Sequence, residues 1–369
     1  MLVNVNPKVL IWAREESFGQ MSTKDVSDKL GVQSSDLEKW ERDGTGIPFE
    51  VLEVIAKNYK RQTATFFLPS VPPKTKKIND YRNIAVHDGK FSPETLLAIR
   101  RTERYLGVAR ELKGQSYWEQ QYQWVKSFSG NKEKIKTETA NLRELLSKPL
   151  ASRINQSKSD AALRYWRSKV EEKLDIFTFQ FSMPEGELDG FSYAFDLPPY
   201  AIVLNNQKPY VRRIFTLFHE LSHILRHRPG VCNPDQASAE KQFDIELECN
   251  SFAGEFLVPN RSVKNANSID EVFELARTFN VSGEVYLRRL FEEKKIDRDK
   301  FFEWLGAVRE KSSQFPRKKQ RGGPSMLIQS KSTRGIKFFD LVTNAAVSNQ
   351  ISYSAASDLL GLKAGNIGV

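Results

Sequence analysis

Three of the four histidines in this chain, His219, His223 and His227, recur at every fourth residue of one apolar stretch. Residues four apart share a helical face, so the stretch is constrained to a helix whose imidazoles line one side. Its other positions, Ile214, Leu217, Phe218, Leu221, Ile224 and Leu225, are apolar enough to bury that helix. His219 and His223 can converge on a single tetrahedral ion. His227 lies about 12 Å along the axis from His219, at about 1.5 Å per residue, too far to share it. With Arg228 it suits the helix C-terminus, where cations and donors are favoured. The fourth, His87, sits in a polar stretch without neighbouring ligand types and reads as a surface residue. Glu220 follows the first candidate ligand, which sets its carboxylate beside the ion. There it can take a proton from a water that the metal acidifies and pass it to a leaving amine.

A hydrolytic zinc site has three protein ligands and one open position. The third must come from downstream. A second helix over Ala237 to Leu257, stopped at Pro259, offers Glu240, Asp244, Glu246, Glu248 and Glu255. Glu246, Asn250 and Ala253 share a face, so a carboxylate at 246 could meet the metal while the amide of Asn250 orients an imidazole. Glu248 points elsewhere if Glu246 points in, and Glu246 is preferred over it. The expected metal set is therefore His219, His223 and Glu246 around one zinc ion per chain. The two cysteines, Cys232 and Cys249, are too few for a disulfide framework or a four-thiolate site. A closed structural zinc site conflicts with so few ligands.

At 369 residues the chain should hold more than one domain. Short helices with tight turns fill the first 70 residues: Asn6 and Ser22 suit N-caps, Pro7 the first helical position, Gly31 and Gly44 left-handed C-terminal positions. Pro69 to Lys77 is rich in proline and lysine and reads as an extended linker. The expected layout is a helical bundle over 1–70, a linker over 71–90 and a domain over 91–310 with a helical lead-in. A basic linker over 311–331 and a C-terminal helical hairpin over 332–369 complete it. Three short strands, around Ile176 to Phe181, Gly190 to Phe195 and Tyr200 to Leu204, precede the histidine helix. The fold class is α+β. No leader-like segment and no apolar run of membrane-spanning length is found, so a cytoplasmic protein without a membrane partner is expected. The net charge of +10 is compatible with an acidic partner without requiring one.

Phe215 to Leu225, taken with Glu246 to Pro259, resembles the ImmA/IrrE family of metallopeptidases. Leu30-Gly31-Val32, Trp40-Glu41 and Phe66 to Pro69 are similar to the helix-turn-helix module that often precedes the protease in that family. The resemblance implies an all-α helix-turn-helix bundle followed by a zincin-like, thermolysin-like metallopeptidase domain. That domain would hold a small antiparallel-containing sheet and carry a helical C-terminal extension. It also implies Glu246 in the third-ligand position and helix-turn-helix repressors as protein substrates. Cys249 stands where the family commonly has alanine.

Two functions compete: a zinc endopeptidase that cleaves a regulatory protein under signal control, and a DNA-binding transcriptional regulator whose zincin-like domain senses a ligand or partner without cutting. Glu220 favours the first, since a metal-binding module does not need that carboxylate. An extended substrate would add to an exposed strand edge, for which Phe191 to Phe195 is the candidate, with Tyr200 to Asn205 inside it. Tyr193 is weighed as an oxyanion donor and read as packing, which leaves the oxyanion stabiliser unassigned. In the N-terminal module the residues best placed for DNA or for a protein partner are Gln33, Ser34, Ser35 and Lys39, with Asp36 and Glu38 among them. Met21 to Lys60 carries six basic and eight acidic residues, a net −2, so weak DNA binding at most is expected. Ser352 to Ile367 repeats the spacing of Ser22 to Leu37 and should form another helix-turn hairpin with a packing or docking role. Ala276 to Leu290 reads as a hairpin of the protease domain.

Overall fold

The computed structural model describes residues 1–19, 21–72, 91–128, 134–147, 159–194, 197–226, 239–314 and 325–367. His87, His227, Arg228, Cys232, Phe195, Lys74 to Lys77 and Arg317 to Arg321 lie outside them. The chain is mostly helical with small sheets, an α+β protein, and divides into two compact units. The first takes Met1–Arg101 and Ser182–Glu187, and the second takes Thr102–Phe181 and Leu188–Val369.

In the first unit, α1 (Pro7–Phe18), α2 (Thr23–Leu30), α3 (Ser34–Asp43) and α4 (Phe49–Asn58) surround a core of Leu10, Val26, Leu37, Trp40, Leu52 and Tyr59. Asn6 accepts from the Lys8 N–H and Ser22 from the Asp25 N–H, so both caps satisfy donors that a helix start leaves open. Arg14 pairs with Glu41 at 2.6 Å and ties α1 to α3. Strand β1 (Leu2–Val3) pairs antiparallel with β2 (Ile47–Pro48). Glu187 accepts from Ser92 and Thr95 at the start of α5 (Pro93–Lys113).

The second unit is organised on a three-stranded sheet in the order β3 (Phe177–Phe181), β5 (Ala201–Asn205), β4 (Gly190–Tyr193). β3 runs parallel to β5, and β4 runs antiparallel to it. Every residue of β3 and β5 is buried, as the near-continuous apolar runs require of strands covered on both faces. Tyr105 packs edge-on to Phe179 and stacks on Phe338, so α5 and the C-terminal helices close over β3. Before the sheet come α6 (Gln115–Gln121), α7 (Ile135–Ser147) and α8 (Ser159–Leu174), and after it α9 (Tyr210–Arg226) and α10 (Ala239–Leu257). Phe218 of α9 stacks on Phe256 of α10 at 3.9 Å between ring centroids, with Trp166 of α8 edge-on to both. Then follow α11 (Ile269–Thr278), α12 (Gly283–Glu292), α13 (Arg298–Ser313), α14 (Met326–Arg334), α15 (Ile336–Val347) and α16 (Tyr353–Leu360).

Helix enters the range expected as the basic linker from both sides. α13 continues to Ser313, and α14 begins at Met326, where Ser325 accepts from the Ile328 N–H as an N-cap. The C-terminal helices group with the second unit. A buried polar network holds them. Arg167 donates to the carbonyls of Thr178 and Ser332, while Gln180 donates to Ser332 O. Glu171 accepts from the N–H groups of Ile336 and Lys337 at 2.9 and 3.1 Å. A carboxylate at a helix N-terminus meets both the open donors and the positive end of the dipole.

Candidate metal centre

α9 has a strongly one-sided apolar pattern, and Ile214, Leu217, Phe218, Leu221, Ile224 and Leu225 are all buried. That fixes its rotation and turns His219 and His223 toward α10. Gly190 lets β4 approach: a Cβ there would lie 2.5 Å from Val203 O and 2.6 Å from Thr216 Cγ2 of α9. On the other side, Arg143 of α7 donates to the Phe256 carbonyl and lies over the Trp166 and Phe256 rings, a cation placed at the C-terminus of α10.

His219, His223 and Glu246 form a group of converging ligand atoms. His219 Nε2 lies 3.2 Å from His223 Nε2 and 3.2 Å from Glu246 Oε2, and His223 Nε2 lies 3.3 Å from Glu246 Oε1. A tetrahedral ion held at about 2.0–2.2 Å from each ligand would space the ligand atoms by about 3.3–3.6 Å, close to this triangle. Two imidazole nitrogens and a carboxylate at such distances repel unless protons or a cation lie between them. The titration behaviour reflects that demand. Burial alone would raise the Glu246 pKa, but hydrogen bonds from His219 and His223 hold it well below the usual carboxylate range. Burial alone would lower that of His223, yet Cys249, Glu246 and Glu220 together raise it well above the ordinary imidazole value. The donor set thus fits a nitrogen- and oxygen-binding divalent cation such as zinc.

Asn250 Oδ1 accepts from His219 Nδ1 at 3.0 Å, which leaves the Nε2 lone pair directed into the triangle. Glu220 is buried beside His219 and close enough to His223 to act on its charge. Glu248 is not in the converging group, and neither is Asp244 or Glu255. Glu255 instead pairs with the buried Arg289 of α12. The Tyr193 hydroxyl donates to Glu103 Oε1 at 3.2 Å, and burial together with that carboxylate raises its pKa. β4 is an edge strand that ends at Tyr193, two residues short of the expected limit.

In the other unit, the α3 candidates stand at the start of that helix. Gln33 occupies the N-cap without a side-chain bond, and Ser34 Oγ donates to Glu38 Oε1 at 3.1 Å. Ser35 and Lys39 are exposed, as are Asp36 and Glu38. The Arg143 cap and the bonds that link Arg167 and Glu171 to Ser332, Ile336 and Lys337 escape sequence reasoning, because each joins residues with no shared period or motif. Among the described residues no helix is long and apolar enough to cross a membrane.

Compared with known families, residues 171–291 match the family model Peptidase_M78, the IrrE N-terminal-like domain. No curated protein and no solved structure matches the chain.

Proposed function

With residues 171–291 belonging to the IrrE N-terminal-like domain family, we propose that this protein is a zinc-dependent endopeptidase that cleaves a regulatory protein of the helix-turn-helix type. The observation that carries the reading is the His219–His223–Glu246 triangle with Glu220 beside it. Those three residues would hold the ion in a zincin-like site. When bound, zinc supplies Lewis acidity to a peptide carbonyl and to water. Asn250 keeps the His219 proton on Nδ1 and so keeps Nε2 free as a ligand. The Glu220 carboxylate accepts the proton of the attacking water and delivers it to the departing amide nitrogen. β4, an edge strand of the sheet among the described residues, would offer main-chain donors and acceptors to an extended substrate. Since Tyr193 is turned to Glu103, the proposal gives it no role at the oxyanion.

The first unit is assigned a targeting role through the exposed start of α3, where Gln33, Ser34, Ser35 and Lys39 would meet a protein regulator or DNA. The working location is the cytoplasm. Glu220→Gln tests the whole reading. It should retain metal and fold while hydrolysis of helix-turn-helix regulators encoded nearby is abolished. Equal cleavage by the variant and the parent would remove Glu220 from the mechanism. Regulation in cells that survives Glu220→Gln intact would select the alternative, a transcriptional regulator that senses without cutting.

A further inference from the structure

On the second unit, the end of α12 and the start of α13 bring three phenylalanine rings into one row. Phe291 stacks on Phe301 at 4.8 Å between centroids, and Phe302 meets Phe301 edge-on at 5.3 Å. Phe301 is buried, whereas Phe291 and Phe302 are 39% and 57% exposed. Cations border the row. The Arg298 guanidinium lies over the Phe302 ring at 5.7 Å, the Lys294 N–H donates to the Phe291 carbonyl, and Lys295 follows it. Lys300 lies over the Trp304 ring at 4.5 Å. None of these four cations forms an ion pair with a described residue, unlike Arg288 and Arg289 of α12, which pair with Glu284 and with Glu255, Glu292 and Glu293. Helix electrostatics account for only two of them. Lys294 and Lys295 follow the C-terminus of α12, where cations are favoured, but Arg298 and Lys300 stand in the first turn of α13, where they are not. Arg289 also donates to Val258 O at 3.0 Å, so α12 is tied through Arg289 and Glu255 to α10, the helix that carries Glu246.

Single apolar residues on a surface need no explanation, but aromatic rings in mutual contact, bordered by unpaired cations, have the make-up of an interface. We propose that this strip docks an acidic protein segment, whose apolar side chains cover Phe291 and Phe302 while its carboxylates meet Lys294, Lys295 and Arg298. The inference rests on the peptidase reading in one respect: the segment belongs to the regulator that is cleaved, and the strip holds it apart from the metal centre. The acids of the strip favour protein over nucleic acid. Asp297, Asp299 and Glu303 are exposed among the cations, and a nucleic-acid strand, with a phosphate at every step, would have to pass them. A peptide need not, since its side chains can differ in kind at each position.

Binding is read by fluorescence anisotropy on the full chain carrying Glu220→Gln, so that no probe is cut. The probe is a labelled synthetic peptide in which Asp and Glu alternate with Leu and Phe. A peptide with Ser at the apolar positions and a single-stranded oligothymidylate are the comparisons. The first peptide should bind more tightly than either and weaken as salt rises. Phe302→Ser, and Lys294→Glu combined with Arg298→Glu, should each weaken it on the order of tenfold, as the loss of a strong interface contact does. Lys57→Glu, at an exposed cation of the first unit, should change nothing. With Glu220 intact, the double charge reversal should raise KM for the cleaved regulator and leave kcat unchanged. Failure of the parent to bind the peptide, or equal binding by the strip variants, overturns the inference and leaves the metal centre standing. So does tighter binding of oligothymidylate through the same residues, a dimer that the strip variants dissolve, or a fall in kcat at constant KM. A parent that binds the peptide at the strip and cleaves no regulator overturns the peptidase reading alone.

Discussion

Gly335, between α14 and α15, is the position where a single methyl group should do most damage outside the metal centre. Its φ of +76° and ψ of 157° lie in a region open essentially to glycine alone. A Cβ there would fall 2.0 Å from Glu171 Oε1 and 2.8 Å from Thr178 O. The backbone strain alone costs about 1–3 kcal/mol. The carboxylate cannot simply swing away, because it is buried and accepts from Thr178, Ile336 and Lys337. Losing the Ile336 and Lys337 bonds strips a buried carboxylate of two donors, at about 1–3 kcal/mol each. Gly335→Ala should therefore destabilise the second unit by about 3–9 kcal/mol, against a typical total of about 5–15 kcal/mol. In guanidinium denaturation followed by tryptophan fluorescence, the midpoint should fall by at least roughly 0.5 M, taking a slope of about 6 kcal/mol per M. Gly361→Ala is the control. Its φ is +62°, but the added Cβ would meet only the Nη2 end of Arg334, at 2.7 Å, so about 1–2 kcal/mol is expected. A Gly335→Ala midpoint equal to that of the parent or of Gly361→Ala would refute the claim that the Glu171 network anchors the C-terminal helices.

Zinc at a hundred times its dissociation constant should stabilise the parent by about 2.7 kcal/mol, a rise of roughly 5–10 °C in melting temperature for a unit of this size. Glu246→Gln should lose that rise and Glu248→Gln keep it; the reverse order moves the third ligand to Glu248. Asp189 is burdened by burial, yet bonds from Lys208 and Arg212 hold its pKa below the ordinary carboxylate value. A depressed carboxylate contributes stability above its unfolded pKa and loses it as pH falls through the folded one. Denaturation midpoints of the parent and Asp189→Asn should thus converge below about pH 4, and parallel curves down to pH 2 would contradict the pairing. Residues 1–70 contain the hydrophobic cluster of the first unit that runs from Val5 to Phe66. That fragment should bind duplex DNA weakly, and tight, sequence-selective binding that falls steeply with salt would show that the acidic residues of α3 do not matter.

What the sequence made legible follows from what repeats locally. His219 and His223 could be paired because their relation is a helical period, and Asn250 could be tied to Glu246 for the same reason. Pairings made between separate elements could not, since neither partner's own helix carries a sign of the other. The same holds for Glu171. On its own helix it is one acid among Glu171, Glu172 and Asp175, and only the arrival of Ile336 and Lys337 from 165 and 166 positions away makes it a cap. The C-terminal stretch looked separable because a basic run precedes it. Of the side chains that bind it, Gln180 leaves a trace in the sequence as a polar residue among the phenylalanines of β3, whereas Arg167 stands among other polar residues of its helix.

The helix-turn motif shows how far such a trace can be trusted. Gly31, Asn280 and Gly361, like Lys60, Lys294 and Asn349, each adopt a left-handed backbone, and the next residue donates back five positions, for the first three Val32 to Ser27 O, Val281 to Ala276 O and Leu362 to Ser357 O. Local hydrogen bonding therefore cannot say which copy recognises a partner. Burial of the following helix can. α12 buries Gly283, Val285, Tyr286, Leu287, Arg289 and Leu290, and its Glu284 is spent on Arg288 and Arg309, so it is a core element of the second unit. After Gly361 only a short 3-10 turn, Ala364–Asn366, follows among the described residues. α3 buries just Leu37 and Trp40 and leaves Ser35, Asp36, Glu38 and Lys39 open. Of the three, α3 is the one with a helical face still free to bind, and the two acids on that face turn the weight of the argument from phosphate toward a protein surface that carries basic residues.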